Sequence, residues 1–246
     1  MPVSQVTSPD ANGIGLVDKA LNPLRYDGHS DNPYEVAGIL QSMMPQNARV
    51  LDVGCGTGSV AVVANKNKGN TVFGIEPDAA RARVAASRGI DATCGYLDEA
   101  FLGEKGPFDV IVFSDVLEHV PAPEAILRLA ASGLTPRGII LISVPNVAHW
   151  SIRLNLLFGR FDYTETGLCD STHLRWFTRR TIQALLRSHG FETVELRYTE
   201  GASLPIYRTR LFRLLPDRWV ARIIRVLLKI APTLLGCQFV LKVRKA

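Results

Sequence analysis

Cysteine is scarce and scattered: four residues, at positions 55, 94, 169 and 237, with no C-x-x-C pair among them. That spacing excludes a zinc knuckle and a dense disulfide framework, and a reducing, cytoplasmic setting is the expectation. No internal repeat is visible. The opening stretch MPVSQVTSPDANG has neither a basic start nor an apolar run, so a secretory signal is not expected. Charged residues make up 21% and apolar residues 47%, which excludes extended disorder. A chain of 246 residues buries roughly three quarters of its unfolded surface, enough for a sizeable core.

Acid is nearly absent from the end of the chain. From Ile206 to Ala246 ten Lys or Arg face a single acid, Asp217, a local +9 that leaves the first 205 residues at −4. An anionic partner is therefore expected for the tail rather than for the whole protein.

Between Arg49 and Val144 short apolar runs alternate with helix-like stretches. RVLDV (49–53), TVFGI (71–75), DATC (91–94), FDVIVFS (108–114) and GIILISV (138–144) read as strands, with helices over about 59–67, 78–88 and 122–132. This is the pattern of an α/β fold with a doubly wound, mainly parallel sheet, whose ligands bind beyond the carboxyl ends of the strands. PYEVAGILQSMMP reads as a helix ahead of it. Residues 145–177 mix aromatics, glycines and polar residues, as expected of a substrate-facing loop and short helix. Thr178 then caps a helix to about Ser188 that Gly190 ends, and FETVELRY and QFVLKVRK read as the last two strands around a basic helical segment at 206–231.

The stretch VLDVGCGTGSVA, residues 50–61, carries the strongest chemical signal. Gly54, Gly56 and Gly58 let the backbone turn sharply and approach a ligand, while the following helix offers its first N–H groups. The dinucleotide fingerprint G-x-G-x-x-G would want glycine at 59, where the residue is Ser59. Glu76 ends the second strand, where a carboxylate accepts both hydroxyls of a ribose and disfavours a 2′-phosphate. Asp52 would repel a pyrophosphate but help to hold an amino acid's ammonium, which weighs against a NAD-dependent oxidoreductase. The plain alternative is a packing turn with Glu76 solvated.

With these residues in view, the chain resembles the class I S-adenosylmethionine-dependent methyltransferases. VLDVGCGTGSVA looks like their first motif and VFGIEPD like their second, and FDVIVFSDVLEHV and LTPRGIILISVPN match the later landmarks. The resemblance is strong over about 48–146 and looser to the end. It implies a seven-stranded Rossmann-like sheet in a single domain, 1–246, with a cofactor-binding core at about 48–146 and substrate-side or lid segments at about 147–177 and 200–235. S-adenosyl-L-methionine is the implied cofactor. Asp52, Gly54, Gly56 and Gly58 would border its methionine end, Glu76 its ribose and Leu97 its adenine.

Methyl transfer from a sulfonium is an in-line displacement, and weakly acidic hydroxyls also need a base or a metal-activated oxygen. Asp115, Glu118 and His119 stand at i, i+3 and i+4, one side of a helix if the stretch is helical. Two oxygens and an imidazole suit a divalent metal, and the pattern resembles the metal-binding motif of ubiquinone-pathway O-methyltransferases and of small-RNA 2′-O-methyltransferases. A structural Glu-His pair or a metal-free base is the favoured reading, so no residue is assigned as a metal ligand. His149, just beyond the fifth strand, and His173 are further candidates for touching substrate. PNVAHWSIRLNLLFGRFDY with THLRWFT resembles methyltransferases of bacterial cell-surface saccharide pathways, and Asp170, Arg175, Trp176 and Tyr163 are candidate lining residues for such an acceptor.

In DRWVARIIRVLLKIAP, Arg218, Arg222, Arg225 and Lys229 form one helical stripe beside a wide apolar face. It is too short and too charged to span a bilayer. Contact with an anionic membrane face is one expectation for it, and packing on the sheet or a homodimer is the other. Nucleic acid is not expected, since no aromatic residues interleave with the charges. The expected function is O-methylation of a saccharide, lipid-linked glycan or quinone-like acceptor, with a catalytically inactive scaffold or cofactor sensor as the alternative.

Overall fold

The computed structural model describes residues 24, 26–28, 30–201, 204 and 216–246. Seven strands are formed: β1 (Arg49–Val53), β2 (Thr71–Glu76), β3 (Asp91–Cys94), β4 (Phe108–Ser114), β5 (Leu134–Pro145), β6 (Phe191–Tyr198) and β7 (Gln238–Lys245). They make one sheet in the order β3-β2-β1-β4-β5-β7-β6. The pairings β3-β2, β2-β1, β1-β4 and β4-β5 are parallel, and β7 runs antiparallel between β5 and β6. This is the expected seven-stranded, mainly parallel α/β sheet.

Apolar residues on both faces of the central strands force helices onto both sides, because successive side chains of a strand point to opposite faces. Leu51, Ile111, Phe113, Ile140 and Ile142 pack on one side with Leu127 of α5 (Pro123–Ser132) and with Ile182 and Leu186 of α7 (Arg179–Ser188). Val50, Val110, Val112 and Leu141 pack on the other with Val36, Ile39, Leu40 and Met43 of α1 (Val36–Met43). The sheet's other flanking helices are α2 (Ser59–Ala64), α3 (Ala79–Ser87) and α4 (Glu99–Lys105), followed later by α6 (Trp150–Leu157), α8 (Asp217–Ile230) and α9 (Pro232–Leu235).

Helix starts follow local chemistry. Asp78 accepts from Ala80 N at 2.8 Å and Arg81 N at 3.0 Å to open α3. Thr178 and Thr181 form a reciprocal capping box at the start of α7, as the sequence signalled. The unexpected α4 opens on Asp98, which accepts from Phe101 N at 2.7 Å. Its seven residues are too few for periodicity to declare them.

One expectation needs correction. Asp115, Glu118 and His119 do not share a helical face: Asp115 has φ 55°, and only a single 3₁₀ turn, Leu117–His119, follows. The basic segment at 206–231 is a helix from Asp217 to Ile230, and 206–215 lie outside the described residues. Among the described residues no helix is long and apolar enough to cross a membrane.

Candidate active site

The carboxyl ends of β1, β2 and β4 lie side by side, since Val53 pairs with Ile75 and Asp52 with Val112. A cavity of about 1110 Å³ opens there. Pockets for one drug-sized ligand run to about 1,000 Å³, so this one stands at the top of that range.

One half of the cavity is built on the glycine turn. Gly56 has φ 54° with open space where a Cβ would stand, and its N–H donates to Glu76 Oε2 at 2.9 Å. Asp78 N donates to the other oxygen, Oε1, at 3.1 Å. Two backbone donors thus fix the buried Glu76 carboxylate at the cavity wall and leave lone pairs for a ligand hydroxyl. Gly54, Gly56 and Leu97 also line the cavity. Gly58 and Asp52 do not. At Gly58 (φ 77°) an added Cβ would meet Ile90 Cδ1 at 2.4 Å, so its glycine serves packing of the turn against the residues after α3. Asp52 lies beneath the turn, buried, with Oδ1 lacking a hydrogen-bond partner. Burial, with the Glu76 charge adding to it, pushes the Asp52 carboxyl up to about 7.

The other half is built after β4. Asp115 Oδ1 accepts from Gln238 Nε2 at 2.7 Å and Asp115 N donates to Ser143 Oγ at 3.0 Å. Burial raises this carboxyl to about 6. Glu118 is almost fully buried, and neither of its carboxylate oxygens has a hydrogen-bond partner. Burial, then the charges of Asp115 and Asp170, raise its affinity for a proton well above the usual carboxylate range. Its backbone carbonyl accepts from Leu174 N at 2.8 Å and Arg175 N at 3.0 Å, which ties the loop of residues 170–177 over the 3₁₀ turn. That tie brings His173 to His119, ring centroids 4.9 Å apart and edge-to-face. His119 Nδ1 stands 3.2 Å from both Thr172 O and Thr172 Oγ1. One carboxylate oxygen of Glu118 and one ring nitrogen each of His119 and His173 lie within 4.8 Å of one another, and all three residues line the cavity.

This set differs from the one that spacing suggested. The fold turns Asp115 toward Gln238 and recruits His173 from a loop more than fifty residues away. His149 does not line the cavity. It is fully buried at the start of α6, with Nδ1 2.8 Å from Ser151 Oγ, and burial lowers its pKa to about 4, so it stays neutral as a helix cap. Asp170, Arg175, Trp176 and Tyr163 are likewise absent from the lining. Asp170 instead organises the loop, accepting from Thr172 Oγ1 at 2.7 Å and Tyr26 OH at 2.5 Å.

Sequence reasoning missed the segment 26–28. Asp27 accepts from Thr57 Oγ1 and from Arg88, each at 2.7 Å, and these bonds hold its carboxyl far below the usual range, Arg88 contributing most. Gly167 N donates to Tyr26 OH at 3.1 Å. The segment therefore bridges the glycine turn to the histidine loop, and nothing in its composition signals that reach. Gln238, at the start of β7, is also unsignalled, because only the sheet order brings it beside Asp115.

The family model described as a methyltransferase domain matches residues 29–196. A ubiquinone biosynthesis O-methyltransferase from Xanthomonas axonopodis pv. citri is 32% identical over 123 residues, 48% of this chain and 52% of that protein. A tRNA 5-carboxymethoxyuridine methyltransferase from Escherichia coli is 34% identical over 139 residues, 53% of this chain and 52% of that protein. The chain thus spans about half the length of these curated relatives. An S-adenosylmethionine-dependent methyltransferase from Thiobacillus denitrificans, solved in complex with S-adenosyl-L-homocysteine, superposes with TM-score 0.54 at 17% identity, over 92% of this chain and 97% of that one.

Proposed function

Since this chain belongs to the methyltransferase-domain family, we propose that it is an S-adenosylmethionine-dependent methyltransferase that transfers the methyl group to a hydroxyl oxygen, with a quinol-like phenol or a lipid-linked saccharide as the acceptor class. The observation that carries the reading is the Glu118–His119–His173 cluster, with Glu118 and His173 buried, in the cavity that the glycine turn also lines. A phenol ionises near 10 and a sugar hydroxyl is a weaker acid still, so oxygen acceptors need a proton-accepting group. The O-methyltransferase relatives, similar over half their length, support the same reaction class.

In this reading the cofactor's ribose hydroxyls donate to Glu76 and its amino-acid end faces the glycine turn above Asp52. Bound there, the cofactor would supply an electrophilic methyl group that the acceptor oxygen takes as the sulfonium becomes a neutral thioether, and the cavity walls would hold donor and acceptor in line. The hydroxyl proton passes to His119. Thr172, at Nδ1, orients the ring.

A second reading is favoured by the unpartnered oxygens of Glu118. That carboxylate with two imidazoles fits a divalent cation, which Glu118, His119 and His173 would hold and which would supply Lewis-acid polarisation of the acceptor oxygen.

Transfer of labelled methyl to quinol-like and lipid-linked acceptors tests the proposal. His119→Ala is expected to lower the rate by about 10²–10⁴ while cofactor binding persists. Unchanged rates in His119→Ala, or transfer only to nitrogen or carboxylate acceptors, would contradict it. Activity retained in excess EDTA assigns the proton to His119; activity lost and restored by added metal assigns a cation to the cluster.

A further inference from the structure

The outward face of α8 carries large apolar residues where solvent-facing polar ones are the norm. Trp219, Ile223, Val226, Leu227 and Ile230 are exposed, Ile230 to 76%, and Arg218, Arg222 and Lys229 are exposed beside them. The helix is already anchored by its other side, where Val220 and Ile224 are buried with Trp150, Leu204 and Leu228. Arg225, the remaining base of the stripe, turns inward: its Nε donates to the buried Glu200 at 2.6 Å and its guanidinium lies 3.9 Å from the Tyr34 ring centroid. Among the described residues no hydrophobic cluster takes up the exposed apolar row.

Soluble surfaces scatter such residues singly, and a row of them along one helix, rimmed by one sign of charge, marks an interaction site.

We infer that α8 docks on an anionic lipid bilayer, lying in the interfacial plane. A basic helix whose exposed face is Trp, Ile, Val and Leu has the composition of an interfacial helix. Its 14 residues, about 21 Å long, suit lying in the plane rather than crossing it. Charge decides between a bilayer and a second copy of the chain. A like-with-like interface would bring Arg218, Arg222 and Lys229 toward their own kind, whereas anionic headgroups complement them. Val220, on the anchored side of α8, lines the cavity, so the docked helix forms its wall.

The test is flotation of the full chain with vesicles of phosphatidylcholine alone and of about 3:1 phosphatidylcholine to phosphatidylglycerol, at about 0.05 and about 0.5 M NaCl. Binding to the anionic vesicles at low salt, reduced about tenfold or more by high salt and by the double variant Arg218→Gln/Arg222→Gln, is expected. Trp219→Ser/Ile223→Ser should also release the protein, with an unchanged thermal midpoint because both side chains are exposed. No flotation with anionic vesicles at low salt overturns the inference, and so does equal flotation with both lipid mixtures. A dimer dispersed by Trp219→Ser/Ile223→Ser in a chain that does not float would assign the face to self-association instead. Vesicle binding requires no methyl transfer, so this test and that of the reaction fail separately.

Discussion

Asp52 shows how a residue's type and its task separate. A carboxylate before a glycine turn reads as a partner for an ammonium, yet it is buried under the turn with one oxygen unpartnered and its proton held to about 7. In the unliganded protein its charge is therefore incomplete at and below neutral pH. A cationic cofactor favours the ionised form, so binding at pH 5 must first expel a proton. S-adenosylmethionine affinity is expected to rise from pH 5 to pH 7, by up to about tenfold per unit, below the range where α-amino groups deprotonate. Asp52→Asn should flatten that dependence, and calorimetry across the range checks it. A wild-type affinity independent of pH would remove Asp52 from the cofactor's field. Glu76 was more legible, because a strand end fixes where its side chain goes. The place of His173 beside Glu118 was not legible, since the loop carrying it folds there through backbone bonds that side-chain chemistry does not announce.

At the scale of elements, the strands and long helices were read correctly because their apolar residues are periodic and their caps are chemically marked. The irregular turns were not. Asp115, Glu118 and His119 have helical spacing in a stretch where Asp115 adopts φ 55° and a single 3₁₀ turn follows, so the spacing argument placed the wrong acid in the cluster. The glycine turn is a further case in which one pattern hides two duties. Gly56→Ala and Gly58→Ala both put a Cβ on a left-handed residue and should each cost about 1–2 kcal/mol of stability, seen as a lower thermal midpoint. Gly58→Ala also presses on Ile90 and should be the more destabilising. Gly56→Ala, at the cavity wall beside Glu76, should be the one that weakens cofactor binding per folded molecule. Equal loss of affinity in both would contradict this division.

For the whole molecule, the sheet order sets what can meet. Residues 26–28, the ends of β1, β2 and β4, the 170–177 loop and the start of β7 are far apart in sequence and share one cavity. The sheet and its cofactor side were legible because they are a run of consecutive βα units. The acceptor side was not, because it is assembled from segments whose meeting depends on the antiparallel insertion of β7 between β5 and β6. The uneven charge of the chain also finds a place at this scale, since the exposed bases of α8 stand on the outer surface of one cavity wall.

The account rests on a nucleoside-bearing sulfonium lying between the glycine turn and Glu76. Titration calorimetry of S-adenosylmethionine into the full chain and into Glu76→Ala measures this directly. Binding at a single site, weakened in Glu76→Ala by about 1–3 kcal/mol, is the predicted result. Absence of binding to the wild-type chain, or equal affinity in the two proteins, would contradict it.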